Sequence, residues 1–91
     1  MIAKVIGKID TLKPGAVTVS VGGLCYRIQV PPVTYSYLEE KQKNNDQIVL
    51  HTLYYMEGGY RGSTLVPRLI GFSNDRDREF FELYTTVKEL S

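Results

Sequence analysis

Residues 17–31 read VTVSVGGLCYRIQVP, and this stretch decides the fold. Apolar side chains occupy every second position on both sides of Gly22-Gly23, which is the pattern of two β-strands that each bury one face. Two adjacent glycines can both adopt positive φ, so they predict a two-residue hairpin turn. Pro31 and Pro32 lack backbone N–H donors, and the chain is therefore expected to leave the sheet there.

The flanking segments supply three more strands. Gly7 inside the first strand predicts a bulge, a bend or a close backbone approach. Pro67 inside the last strand predicts an edge position or a bulge, because proline cannot donate to a central ladder. Residues 57–62 read as a hairpin loop that is too long for a tight turn. We predict strands at 2–9, 16–21, 24–30, 47–56 and 63–72, a turn at 10–15, and a short helical turn at 35–40 that leads into a polar loop.

The C-terminal segment changes to a helical period. Ser73 or Asn74 is the expected N-cap. Apolar side chains then recur at i, i+3, i+4 and i+7, which indicates an amphipathic helix: Phe80, Leu83, Tyr84 and Val87. We therefore predict an all-β fold, a five-stranded OB-fold Greek-key barrel at 1–72 followed by one C-terminal α-helix at 73–91. An SH3-like barrel is the structural alternative.

The composition limits the class of protein. Ninety-one residues make one domain, or one domain plus a fragment of another. A net charge of +1 argues against a protein held on nucleic acid by bulk charge alone. No apolar run reaches the roughly 18 residues of a membrane helix, and the first residues lack the pattern of a secretory signal. A single cysteine suits a reducing compartment. We therefore expect a cytoplasmic protein.

Residue types that carry catalysis or bind cofactors are sparse. His51 is the only histidine and is expected to be a strand residue at the barrel surface. Cys25 has no base near it in sequence and is expected to be a structural thiol. No enzyme active site, metal site or cofactor is predicted. The seven tyrosines leave base stacking open, as on many OB-fold surfaces, with three candidates: Tyr54, Tyr55 and Tyr60.

The hairpin loop at Glu57 carries the charges of most interest. A carboxylate there is most simply a solvated surface group, but it can also repel phosphates and keep a duplex from sliding over it. Arg61, four residues on, can instead neutralise a phosphate. Charge alone favours the solvated interpretation.

Taken in order, the segments resemble a known family. The segments are, in turn, MIAKVIGKID, VTVSVGGLCYRIQVP, a strand that enters a protruding hairpin, LIGFSN and DREFFELYTTVKEL. Their order resembles that in the N-terminal domain of the RuvA family. These are the Holliday-junction-binding subunits of the bacterial branch-migration machine. The matching elements are Val21-Gly22-Gly23, Tyr26, Pro31, Gly71-Phe72 and Arg78-Glu79-Phe80-Phe81. The resemblance covers nearly the whole chain and rests on order and spacing.

The resemblance implies a non-catalytic, architectural role. RuvA-like proteins form homotetramers that hold a four-way junction open and flat, and they load a hexameric ATPase, RuvB, which supplies the work of branch migration in recombination and repair. Their OB-fold domain builds the tetramer core and carries an acidic pin near the crossover, which makes Glu57 the pin candidate and Arg61 a phosphate-contact candidate. An OB-fold binder of single-stranded nucleic acid and a protein-interaction barrel are the alternatives.

Three departures from the family pattern stand out. The family pin has two adjacent carboxylates, whereas Gly58 and Gly59 follow Glu57. The hairpin is longer, with Arg61 and Pro67 added. The two helix-hairpin-helix motifs and the ATPase-docking domain of the family are not among the 91 residues, so we expect either a piece of a longer protein or a short relative. We predict that these residues alone bind a junction weakly, and nanomolar affinity would contradict this.

Overall fold

Five strands and two α-helices follow one another in the described part of the chain. The computed structural model describes the backbone of residues 4–62 and 64–90, and the side chains in these ranges other than those of 60 and 85–90. The predictions for residues 2–3, for the Tyr60 ring and for the Val87 side chain lie outside the described residues. The elements are β1 (Lys4–Lys13), β2 (Ala16–Val21), β3 (Leu24–Gln29), α1 (Pro32–Lys43), β4 (Gln47–Gly58), a 3-10 turn (Tyr60–Gly62), β5 (Leu65–Phe72) and α2 (Asp75–Leu90).

The five strands close into a barrel in the order β1-β2-β3-β5-β4. Neighbouring strands are antiparallel except β3 and β5, which meet in parallel at Gln29 and Ile70. β4 pairs with both β1 and β5, and the single residue pair between β3 and β5 completes the closed barrel. This order, with a helix between β3 and β4, is the OB-fold Greek key and confirms the predicted fold class.

The β2–β3 hairpin forms as its sequence predicts. Gly22 and Gly23 have φ of 54° and 89°, the positive values that a two-residue turn of this kind needs at both positions. Val21 pairs with Leu24 across the turn, and the ladder continues to the far ends of both strands. Val17 and Val19, on the predicted inner face of β2, are buried.

The core lies inside the barrel and under α1. Aliphatic side chains from all strands but β5, and from α1, make one contiguous cluster, which consists of Val5, Val17, Val19, Ile28, Val30, Leu38, Ile48 and Leu50. Thr34 and Leu38 point inward from α1, one helical turn apart, and close one end of the barrel. Burial of these branched side chains is the main favourable contribution to folding.

Three elements extend beyond their predicted bounds, and one of them is β4, which continues two residues further, to Gly58. β1 continues to Lys13 instead of turning at residue 10, because the β1–β2 register shifts between Ile9 and Thr11 and this bulge interrupts the alternation. α1 is a helix of 12 residues, so the predicted helical turn with a polar loop was too short. Its last turn carries Lys41 and Lys43, whose positive charges are favourable at a helix C-terminus. In the sequence these lysines belong to a polar run, which was interpreted as a loop.

α2 is confirmed as a helix, but it packs through a different face. Asn74 is the N-cap, since its Oδ1 accepts the Asp77 backbone N–H at 2.8 Å. Phe81 contacts the barrel, whereas the predicted apolar stripe faces away from it: Phe80, Leu83 and Tyr84 are 72%, 65% and 57% exposed. Neither helix, over the residues that the structure describes, is both long and apolar enough to cross a bilayer. A domain boundary at residues 72–73 stays a prediction.

Candidate functional site

β4 and β5 remain paired well beyond the closed part of the barrel. Among the described residues, β1 pairs with β4 as far as His51 and β3 meets β5 at Ile70. The β4–β5 ladder nevertheless continues to the pair formed by Gly58 and Leu65. We call this projection the arm, which comprises residues 54–58 and 65–69 and the loop between them. The hairpin predicted to protrude is therefore present, in a molecule with principal extents of 43 × 26 × 23 Å.

Glu57 lies in β4 and not in the hairpin loop, where the sequence placed it. It pairs with Val66, and its side chain is on the outer face of the arm, 53% exposed. Arg68 lies diagonally across the ladder, with its Nη2 3.7 Å from Glu57 Oε1. The Tyr55 hydroxyl is 3.2 Å from Glu57 Oε2. The carboxylate is thus partly solvated, as predicted, but each of its oxygens also has a partner.

Tyr55 connects Glu57 to β3. Its hydroxyl lies 3.0 Å from Gln29 Oε1 as well as near Glu57, although a single hydroxyl hydrogen serves one acceptor at a time. The two contacts are both satisfied when the Gln29 amide turns its N–H toward the hydroxyl oxygen and Tyr55 donates to Glu57. Burial, the hydrogen bond to Glu57 and the charge of Glu57 raise the pKa of Tyr55, and the charge of Arg68 opposes them. The hydroxyl therefore stays protonated and holds the carboxylate.

Arg61, the predicted phosphate contact, lies apart from this cluster. It sits in the 3-10 turn at the end of the arm, with a left-handed backbone (φ 49°) and an exposed side chain. No ion pair joins it to Glu57 or to any other residue that the structure describes. The structure therefore separates the two charges that the sequence placed together, and Arg68 is the cation beside Glu57.

Sequence reasoning missed two residues that contact the Tyr55–Glu57 pair, Gln29 and Arg68, and a third, Arg27, that lies two positions before Gln29 in β3. Arg27 and Gln29 occupy alternate positions of β3 between apolar residues, which marks them as outward-facing. Arg68 is the cross-strand partner of Tyr55. That pairing depends on the register of a hairpin with a long, irregular loop, and such a register cannot be counted from the sequence.

The two stacking candidates whose rings the structure describes, Tyr54 and Tyr55, do not share one platform. Tyr54 is 50% exposed and lies on the inner face of the arm, while Tyr55 lies on the outer face under Phe81. Successive bases on a binding surface need aromatic rings on one side of the sheet. This arrangement weighs against the single-strand-binding alternative.

His51 is a half-buried strand residue on the outer face of β4, as predicted. Its Nδ1 lies 3.8 Å from Asp75 Oδ1, at the start of α2. A hydrogen bond from Arg78 lowers the pKa of the Asp75 carboxyl, and the charge of Arg78 acts in the same direction. These contacts fasten α2 to the barrel beside the arm.

Comparison with protein families gives a match that covers more than half of the chain. The model of the RuvA N terminal domain matches residues 1–57 of this chain. The match covers the barrel strands β1 to β4 and ends at Glu57.

Curated relatives extend the similarity over the rest of the chain. Three are from Rhodopirellula baltica (36% identical over 87 residues), Leptospira biflexa (38% over 88) and Geobacter sulfurreducens (32% over 87), and each is named Holliday junction branch migration complex subunit RuvA. Each similarity covers 96% of this chain but only 41%, 40% and 39% of the relative. The chain thus spans about two fifths of the length of these relatives. On this evidence, the chain belongs to the RuvA family and corresponds to its N-terminal domain.

Proposed function

We propose that the chain is the junction-binding and tetramer-forming module of a RuvA-like subunit, and that the arm places Glu57 at the crossover of four-way junction DNA. The observation that carries the proposal is the arm itself, which projects from the barrel with a carboxylate held on its outer face. The names of the relatives support a role in a Holliday junction branch migration complex.

The charge distribution favours a role in selectivity over one in tight binding. A net charge of +1 supplies few cations for the counterion release that drives DNA affinity. A carboxylate near the end of the arm repels the phosphates of a continuous duplex, whereas the open centre of a junction offers room for it. The single carboxylate makes this effect weaker than a pair of adjacent carboxylates would.

Assembly and partners follow from the same proposal. The chain exposes apolar side chains on α2 and on the inner face of the arm, including Phe80, Leu83 and Met56, which supports burial in a larger assembly such as a homotetramer. A RuvB-like ATPase would supply the work of branch migration, and the subunit itself would be non-catalytic. The exposed, unpaired Cys25 suits the reducing cytoplasm, where we expect the protein to act.

Competition between DNA structures tests the proposal. A labelled four-way junction bound by the protein is challenged with unlabelled junction or with linear duplex of the same arm sequences, at low salt. We expect the junction to compete at least tenfold better. Glu57→Gln should reduce that preference mainly by strengthening duplex binding, because it removes the repulsion.

The matched control is Glu39→Gln, which removes an exposed carboxylate from α1 at the other end of the barrel. It should leave the preference unchanged. Equal competition by junction and duplex with the unaltered chain would refute the proposed function.

A further inference from the structure

A cleft opens where β3 and β5 diverge beyond their single point of pairing. It has a volume of about 200 Å³ and is open to solvent. Its lining is mostly polar and comes from two strands that are distant in sequence: Arg27, Gln29, Pro67, Arg68 and Leu69. Two arginines therefore line one small cavity on the outer side of the barrel, and one of them, Arg68, lies beside Glu57.

The hydrogen-bonding capacity of these two arginines is largely unused. Arg27 is exposed, and no hydrogen bond or ion pair to it is found among residues 4–62 and 64–90. Arg68 contacts Glu57 at 3.7 Å, beyond good hydrogen-bond length, and its Nε is buried with no partner in the described structure. The Arg68 side chain is 39% exposed, so its terminal guanidinium N–H groups, and not the enclosed Nε, are the donors that an anion in the cleft would meet.

The chemistry of the lining selects the kind of anion. Guanidinium groups present planar forks of N–H donors that match the two non-bridging oxygens of a phosphodiester. With one carboxylate beside two arginines, the local charge is about +1, which suits a singly charged backbone phosphate. We propose that this cleft is a DNA backbone phosphate site, in which Arg27 and Arg68 bind one phosphodiester beside Glu57. This inference rests on the proposed function, since it names a place where the proposed junction-binding module contacts the DNA backbone.

The site explains how an acidic side chain can be held close to DNA. A phosphate in the cleft neutralises the two arginine side chains and fixes the position of the DNA backbone relative to the arm. Glu57 keeps its hydrogen bond from Tyr55 while Arg68 turns toward the phosphate. Attraction at the cleft and repulsion at Glu57 then act on neighbouring parts of the same strand. Arg68 lies outside the residues matched by the family model.

Junction binding measured over a range of salt concentrations tests the site. We expect Arg27→Gln and Arg68→Gln each to weaken binding about tenfold at low salt, as loss of a charged hydrogen bond predicts. The double variant should lower the slope of log K against log salt by about one, because both arginines serve one phosphate. Arg76→Gln, an exposed arginine on α2, is the matched control and should change neither quantity. Amide NMR spectra confirm that each variant is folded.

Arginine Nε–Hε signals in NMR locate the binding and report weak affinities. The signals of Arg27 and Arg68 should shift on addition of junction DNA, while that of Arg76 stays in place. Shifts caused only by inorganic phosphate at matched ionic strength would show a site for free anions and overturn the DNA assignment.

The outcomes separate this inference from the proposed function. A junction preference that survives in both arginine variants, with unchanged affinity and salt slope, refutes the cleft alone. Weakened binding in these variants without any preference of the unaltered chain for junctions supports the cleft and refutes the proposed function. No binding of any DNA refutes both.

Discussion

At Gly7 the backbone of β1 passes so close to β2 that no side chain fits. A Cβ built at this position would lie 2.3 Å from the Ser20 carbonyl oxygen and 2.9 Å from a Val19 methyl carbon. The obstacle is mainly backbone, which cannot move aside as a flexible side chain would. Of the three features that the sequence allowed at Gly7, a bulge, a bend or a close backbone approach, the structure shows the close approach.

Gly7→Ala should destabilise the barrel by about 2 kcal/mol or more, because overpacking a close-packed interior costs roughly 1–3 kcal/mol. Urea unfolding followed by circular dichroism measures the effect. Lys8→Ala, at the next, exposed position of the same strand, is the control and should stay within about 0.5 kcal/mol. Equal stability of Gly7→Ala and the unaltered chain would show that β1 and β2 lie further apart than described.

The Tyr55 hydroxyl offers a pH-dependent test of the Glu57 cluster. Its folded-state pKa is raised above the ordinary value near 10, first by burial and then by Glu57. The neutral hydroxyl is thus favoured by folding, so its contribution to stability is complete below about pH 10 and is lost as the pH rises through the folded-state pKa.

Glu57→Gln should lower the pKa of Tyr55 toward its ordinary value, because the charged hydrogen-bond acceptor is gone while burial remains. The chemical shift of the Tyr55 Cζ carbon, followed from pH 8 to 12, measures this directly. Tyr54, on the opposite face of the arm, serves as internal control. An unchanged titration of Tyr55 in the variant would mean that the hydroxyl does not contact Glu57 in solution.

At the scale of elements, α2 shows where a sequence pattern can mislead. The i, i+3, i+4 periodicity predicts the helix correctly, but its apolar stripe is exposed in the single chain. Phe81 instead packs against the barrel, with ring centroids 5.5 Å from Phe72 and 6.0 Å from Tyr55. When a helix carries apolar residues on two faces, its sequence does not show which face packs against the barrel of the same chain.

Phe81→Ala should cost about 1–2 kcal/mol, less than the 3–5 kcal/mol of a fully buried phenylalanine, because the side chain is only half-buried. Phe80→Ala, its neighbour in sequence and 72% exposed, should cost under about 0.5 kcal/mol. Thermal or urea unfolding of both variants at low protein concentration measures the two losses in the free energy of unfolding. A larger loss of stability for Phe80→Ala than for Phe81→Ala would mean that the Phe80 face of α2, and not the Phe81 face, packs against the barrel.

Local sequence signals predicted the barrel better than the site. Strict alternation around Gly22-Gly23 and the stop at Pro31 define the central hairpin, since each signal acts within a few residues. The bulge after Ile9 and the extension of β4 past Glu57 depend on strand pairing, which the sequence does not encode locally. The contact of Arg68 with Glu57 was missed for the same reason, because it joins residues on two strands across an irregular loop.

At the scale of the whole molecule, the closed barrel is the base from which the arm projects. α1 closes one end of the barrel, and the arm projects from β4 and β5 beyond their pairing with β1 and β3. Rigid attachment matters because a carboxylate can discriminate between DNA shapes only when its position relative to the phosphates is fixed. We therefore expect the end of the arm to lie at the junction centre and α1 to remain distant from it.

The most direct test places a nitroxide label on a base at the crossover of a four-way junction and records the amide NMR signals of the bound protein. Paramagnetic broadening falls steeply with distance and remains visible for weak complexes. The account predicts that Gly58 and Gly59 lose most of their signal, while Glu39 and Gln42 in α1 keep theirs. Broadening of α1 with intact signals from the arm, or uniform broadening of both, would contradict it.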